Sequence, residues 1–126
     1  MIFMTFSDLG LSNALVKAVE EKGYTKPSPI QEKAIPHILD GKDILASAQT
    51  GTGKTAGFTL PVLHYLSETK HIKYRPLRAL VLTPTRELAK QVMEVISSLL
   101  SDLNHINTAC LIGGEQMTRQ LKQLKN

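Results

Sequence analysis

Residues 48 to 55 read Ala-Gln-Thr-Gly-Thr-Gly-Lys-Thr, a run that sets two glycines, a lysine and a hydroxyl within one tight turn. Glycines let backbone N–H groups converge on an anion, and a helix that starts at the lysine adds the positive end of its dipole. Phosphate oxygens suit such a cradle, formed by Ala48, Gln49, Thr50, Gly51, Thr52, Gly53, Lys54 and Thr55. The Lys54 ammonium would reach β and γ phosphates, and the Thr55 hydroxyl would take a Mg²⁺ ion that bridges them. The general phosphate-loop pattern begins with glycine, whereas Ala48 stands at that place here. A plain glycine-containing turn with Lys54 in solvent is the competing reading, and context separates the two: the pattern carries chemistry only between a buried strand and a helix.

Further residues suit ligand recognition, each with an ordinary structural alternative. Gln31 follows Ser28 by three positions in Ser28-Pro29-Ile30-Gln31, which is a helix-capping arrangement. A glutamine amide can also pair in bidentate fashion with adenine, accepting from its amino group and donating to a ring nitrogen. In Pro84-Thr85-Arg86-Glu87-Leu88-Ala89, the free N–H groups of a helix start, a threonine hydroxyl and an arginine all favour phosphate oxygens. The same residues also make a simple cap, with Glu87 complementing the dipole. Gly113-Gly114 is a turn on its own. Arg119, Lys122 and Lys125 read as a solvated helix face.

These groups must be held by something, and the apolar spacing supplies it. Leu11, Ala14, Leu15, Ala18 and Val19 predict a helix capped by Ser12 and ended by Gly23. A second helix starts at Ser28 with Pro29 at its first position, bends at Pro36 and closes at Gly41. Residues 43–47 read as a short buried strand feeding the phosphate loop, and Lys54 to Leu66 as a helix leaving it. A basic loop from Ser67 to Pro76 precedes a second strand at 79–82. A helix capped near Thr85 then places Leu88, Val92, Val95, Ile96 and Leu99 on one face. Residues 107–112 give a third strand, and Met117, Leu121 and Leu124 a last helix running to Asn126. Strands alternating with helices predict a parallel sheet covered on both faces, with ligands at the carboxyl ends of the strands, where the motifs sit.

The chain has 126 residues, enough for one domain of about 100 to 150 residues and too few for two. Apolar residues at 42% and charged residues at 21% are ordinary for a globular protein, and the net charge of +4 permits a polyanionic partner without demanding one. Cys110, the single cysteine, lies in an apolar run and reads as a packed thiol. No secretory leader or membrane span is visible, and the expected setting is the cytoplasm.

The segment Gly23 to Gln31, with Phe6 seventeen residues before Gly23, closely resembles the Q motif of DEAD-box RNA helicases. That resemblance accounts for Ala48, since the family's phosphate loop reads A-x-T-G-x-G-K-T, and the run Ser47 to Pro61 is similar to bacterial members of the RhlE kind. It implies a three-layer α/β, RecA-like P-loop domain, present here only in its N-terminal part over residues 1–126, with the Q motif near 4–33 and the second helicase domain absent. It further implies that Tyr24, Lys26 and Gln31 surround the adenine of ATP, that Lys54 and Thr55 serve catalysis with Mg²⁺, and that Pro84, Thr85, Arg86, Gly113 and Gly114 hold the backbone of single-stranded or short-duplex RNA. The intact protein would couple ATP hydrolysis to local unwinding.

The strings T-P-G-R, D-E-A-D and S-A-T do not occur in the chain. The expectation is therefore that these residues alone neither hydrolyse ATP nor unwind RNA, and that apolar edges left without a neighbouring strand promote self-association. A nucleotide-binding or interaction module that never hydrolyses is the rival from another class. A DNA-directed helicase sharing the loop is a third reading, disfavoured by the Q motif taken with Pro84 to Ala89.

Overall fold

The computed structural model describes residues 3–69 and 76–125. The regular structure among them is a 3₁₀ turn at Phe6–Leu9 and five helices: α1 Asn13–Glu21, α2 Pro29–Leu39, α3 Lys54–Glu68, α4 Arg86–Leu99 and α5 Met117–Lys125. Most of the expected basic loop at 67–76, and Asn126 at the end of the last helix, lie outside the described residues.

Helix ends follow the local chemistry of the sequence. Ser12 and Ser28 stand at the N-caps of α1 and α2. Past α1, Gly23 N–H bonds the Glu20 carbonyl at 2.9 Å and Tyr24 N–H the Val19 carbonyl at 3.2 Å. Past α2, Gly41 N–H bonds Ile38 at 2.9 Å and Lys42 N–H bonds His37 at 3.1 Å. Both are the paired closure in which two orphan carbonyls are satisfied at once. α2 continues through Pro36 to Leu39. The 3₁₀ turn was not evident in the apolar spacing. It is set by Thr5, whose N–H and hydroxyl both donate to Asp8 Oδ2, at 2.7 and 2.9 Å. The backbone N–H of Thr5, and then its hydroxyl, hold the Asp8 carboxyl below its ordinary 3.8.

The core joins the turn, α1, α2, α3 and α4. Leu15 and Ile35 meet Leu60 and Leu63 of α3, with Leu99 closing from α4 and Phe6 and Leu9 from the turn. α3 is the central element, packing on α2, α1 and α4. Side chains brace it from neighbouring segments. Tyr65 Oη donates to the Ile38 and Leu39 carbonyls at 2.8 and 2.7 Å, and the Arg78 guanidinium donates to Tyr65 and Leu66 carbonyls and to Thr69 Oγ1 at its C-terminal end. A cation there also complements the negative end of the helix dipole.

The expected parallel sheet is not formed among the described residues. Segments 43–47, 79–82 and 107–112 carry no regular structure, and among the described residues no backbone hydrogen bond joins one to another. Leu80 is 71% and Leu82 84% exposed, and Leu45 stands fully in solvent. A continuous apolar run reports that a segment needs burial on both faces; ladder bonds and a neighbour are what make it a strand. These three segments have the run without the neighbour.

Candidate functional site

The phosphate loop occupies the context its pattern requires on one side: it opens directly into α3, with Lys54 as the first helical residue and Gly53 as N-cap. On its other side the entering segment 43–47 carries no regular structure and is unpaired among the described residues. Gly51 and Gly53 both adopt positive φ, 81° and 83°, which curls the backbone. Thr52 Oγ1 bonds the Gln49 carbonyl across the curl. No side chain caps α3, so the N–H groups of its first turn remain available to an anion. Lys54 is exposed beside them. The Thr55 hydroxyl makes no hydrogen bond among the described residues, and Thr59 Oγ1 instead bonds the Thr55 carbonyl at 2.8 Å. A free hydroxyl at that place fits a Mg²⁺ ion, which takes one or two protein ligands and completes its shell with water and phosphate oxygens. Among the described residues no cluster of three His, Cys, Asp or Glu side chains is poised for a metal.

Gln31 is where the start of α2 meets the 48–55 loop. Its Oε1 accepts from Ser28 N–H at 3.0 Å, the capping bond expected from the spacing, while its Nε2 donates to the Gly53 carbonyl at 3.1 Å. The capping reading of this side chain thus holds, and the same amide also fastens α2 to the 48–55 loop, a contact that the spacing did not announce. It is only 7% exposed, yet Oε1 retains a second lone pair and Nε2 a second hydrogen. The Ser28 hydroxyl is buried beside it and has no hydrogen-bond partner among the described residues. Tyr24, 62% exposed, and Lys26 lie on the connector between α1 and α2, and no hydrogen bond joins either to the loop. Lys26 Nζ instead sits 3.8 Å from the ring centroid of Phe3. Phe6 belongs to the core.

The second group also assembles. Thr85 caps α4, its Oγ1 accepting from Leu88 N–H at 3.2 Å, and Arg86 crosses to donate to the Gly113 carbonyl at 3.2 Å. A methyl group on Gly114, whose φ is 83°, would fall 2.6 Å from Arg86 Nη1. A guanidinium of the same chain thus occupies the space beside Gly114. Between them lies an open hollow of about 300 Å³ lined by Arg86, Glu87, Lys90, Gly113, Gly114 and Glu115. Lys90 was not singled out from the sequence; its place one turn after Arg86 was the signal that could have found it. Pro84 precedes the cap and is exposed.

Over residues 28–126 the sequence matches the DEAD/DEAH box helicase family. The chain belongs to that family. It is 49% identical over 122 residues to the ATP-dependent rRNA helicase RRP3 of Meyerozyma guilliermondii, covering 97% of this chain and 25% of that protein. To the DEAD-box ATP-dependent RNA helicase RhpA of Helicobacter pylori it is 47% identical over 121 residues, covering 96% and 23%. Its structure is similar to that of a DEAD box protein from Methanococcus jannaschii, with a TM-score of 0.84 and 39% identity over 97% of this chain and 32% of the other. It is similar also to ADP-bound Prp28 from Chaetomium thermophilum, with a TM-score of 0.87 and 36% identity over 98% and 30%. The chain thus spans about a quarter of the length of the curated relatives it matches.

In this DEAD/DEAH box chain α2, α3 and α4, at whose N-terminal ends Gln31, the 48–55 loop and Arg86 lie, pack in sequence on one another. The relatives include a yeast rRNA helicase as well as bacterial proteins, so the RhlE kind is not singled out among them. No helix among the described residues is long and apolar enough to cross a membrane.

Proposed function

We propose that this chain is the ATP-binding part of an ATP-dependent RNA helicase, the N-terminal portion of a RecA-like domain whose parallel sheet is completed by strands beyond these residues. Residues 48–55 take the phosphates, Lys54 and Thr55 hold the γ-phosphate and Mg²⁺, and Tyr24, Lys26 and Gln31 read the adenine. Thr85, Arg86, Gly113 and Gly114 hold an RNA backbone, and Pro84 sets the approach to their helix. The protein acts in the cytoplasm on short duplex or single-stranded RNA.

The observation that carries the reading is the Gln31 side chain, bonded to both Ser28 N–H and the Gly53 carbonyl. A base pairing with its remaining valences would be sensed at the carbonyl of the residue just before Lys54, so base identity and phosphate grip are coupled through one amide. No acidic motif occurs to position water and share Mg²⁺, so this chain alone binds without turnover.

Equilibrium titration with ADP, ATP, GDP and GTP tests it. Adenine nucleotides should bind more tightly by about 1–3 kcal/mol, the worth of a good bidentate pair, and Gln31→Ala should erase that preference. Equal affinity for ADP and GDP in the parent chain would refute the adenine role. Phosphate release should not exceed that of Lys54→Ala.

A further inference from the structure

On α5 the burial is the reverse of what the apolar stripe leads one to expect. Met117, Leu121 and Leu124 stand in solvent, while Gln120 is 8% exposed. Its carboxamide pairs both ways with one residue: Oε1 accepts from Ile112 N–H at 2.9 Å and Nε2 donates to the Ile112 carbonyl at 3.1 Å. The same Nε2 donates to the Glu115 carbonyl at 3.3 Å. Three residues on, Gln123 Oε1 accepts from Cys110 N–H at 3.2 Å.

Residues 110 and 112 both turn their backbone N–H groups toward α5. The two glutamines therefore stand where a neighbouring strand would bond, and they seal that edge. The Gln120 bonds also bracket the double glycine, gripping residue 112 before it and residue 115 after it. Between the two grips lie the Gly113 carbonyl, which receives Arg86, and Gly114, over which the guanidinium sits.

We propose that Gln120 is a positioning residue for phosphate recognition: by fixing the turn 112–115 it aims Arg86 at one phosphate of a bound RNA strand. This rests on the RNA-backbone role proposed above for Arg86. The grip needs one acceptor and two donors on a single planar group, which a carboxamide supplies. Glutamate at this place would lose both donors and face two carbonyl oxygens, and methionine would fill the volume with no hydrogen bond at all.

The test uses the full chain, a fluorescein-labelled oligouridine as RNA probe and a fluorescent ADP analogue as nucleotide probe. Gln120→Glu and Gln120→Met should each weaken RNA binding about tenfold, near the net worth of one hydrogen bond, with ADP affinity and helical circular dichroism unchanged. Arg86→Ala should weaken RNA binding at least as much. Because Gln120 acts through Arg86, the double variant Arg86→Ala/Gln120→Glu should bind RNA no more weakly than Arg86→Ala alone. Amide exchange at Ile112 should quicken in both Gln120 variants.

If Arg86→Ala weakens RNA binding and the Gln120 variants do not, the positioning role is overturned and the RNA reading stands. An additive double variant, or loss of ADP affinity together with RNA affinity, overturns it as well, since either marks Gln120 as a support of the fold alone. Unchanged RNA binding in Arg86→Ala overturns the RNA reading and this inference with it.

Discussion

At Gly53 two demands fall on one Cα. The backbone there turns through a φ of 83°, and a methyl group would land on the Gln31 amide nitrogen and 3.2 Å from the Ser28 hydroxyl. An L-residue in that conformation costs about 1–2 kcal/mol before any clash is counted. Gly53→Ala should therefore lower the urea midpoint by more than the backbone cost alone and weaken ADP binding, because the displaced amide can no longer fasten α2 to the loop. Adding Gln31→Ala should recover the steric share and leave the backbone share, which a double-mutant cycle separates. A Gly53→Ala chain as stable and as tight-binding as its parent would remove the coupling on which the nucleotide reading depends. Both glycine turns were legible in the sequence, since Gly51, Gly53 and Gly114 all adopt the positive φ that glycine permits. What filled the space beside them was not, because Gln31 at Gly53 and Arg86 at Gly114 are contacts across 22 and 27–28 residues.

Helices are the scale at which the sequence spoke most plainly. Ser12, Ser28 and Thr85 stand at their N-caps, the closures beyond α1 and α2 fall at Gly23 and Gly41, and α4 buries Val92 and Leu99 as its spacing required. These are decided within four or five residues of chain, so local chemistry suffices. α5 is the exception, for periodicity identifies a helix and its stripe but cannot say which face its surroundings cover. The contrast is measurable. Leu15 of α1 is fully buried among the turn, α2 and α3, so Leu15→Ala should cost about 2–5 kcal/mol and lower the thermal midpoint by many degrees. Leu121→Ala, on the exposed stripe, should stay within about 0.5 kcal/mol of the parent, as surface substitutions do. A large loss at Leu121 would mean that α5 is turned the other way, and the Gln120 contacts would go with it.

For the whole molecule the decisive fact is that helices supply the core while apolar side chains of three segments without regular structure stand in water. Ile44 and Leu45, Leu80 to Leu82, and Leu111 together present backbone edges and apolar side chains to water, the combination that other chains pair with. One edge of the third segment is closed by Gln120 and Gln123. The segments at 43–47 and 79–82 have no such seal among the described residues, and we propose them as the places where copies would associate. The chain should scatter light as a monomer only when dilute and grow in mean mass with concentration. Lysine at Leu45 and Leu82 should suppress that growth without changing helical circular dichroism, since neither side chain packs in the core and a charge on an exposed edge opposes pairing. A constant monomer mass across a hundredfold range of concentration would show that these segments find their cover within a single chain. In that case the sheet missing from the structure would form in solution, and the lysine substitutions, no longer neutral, would unfold it.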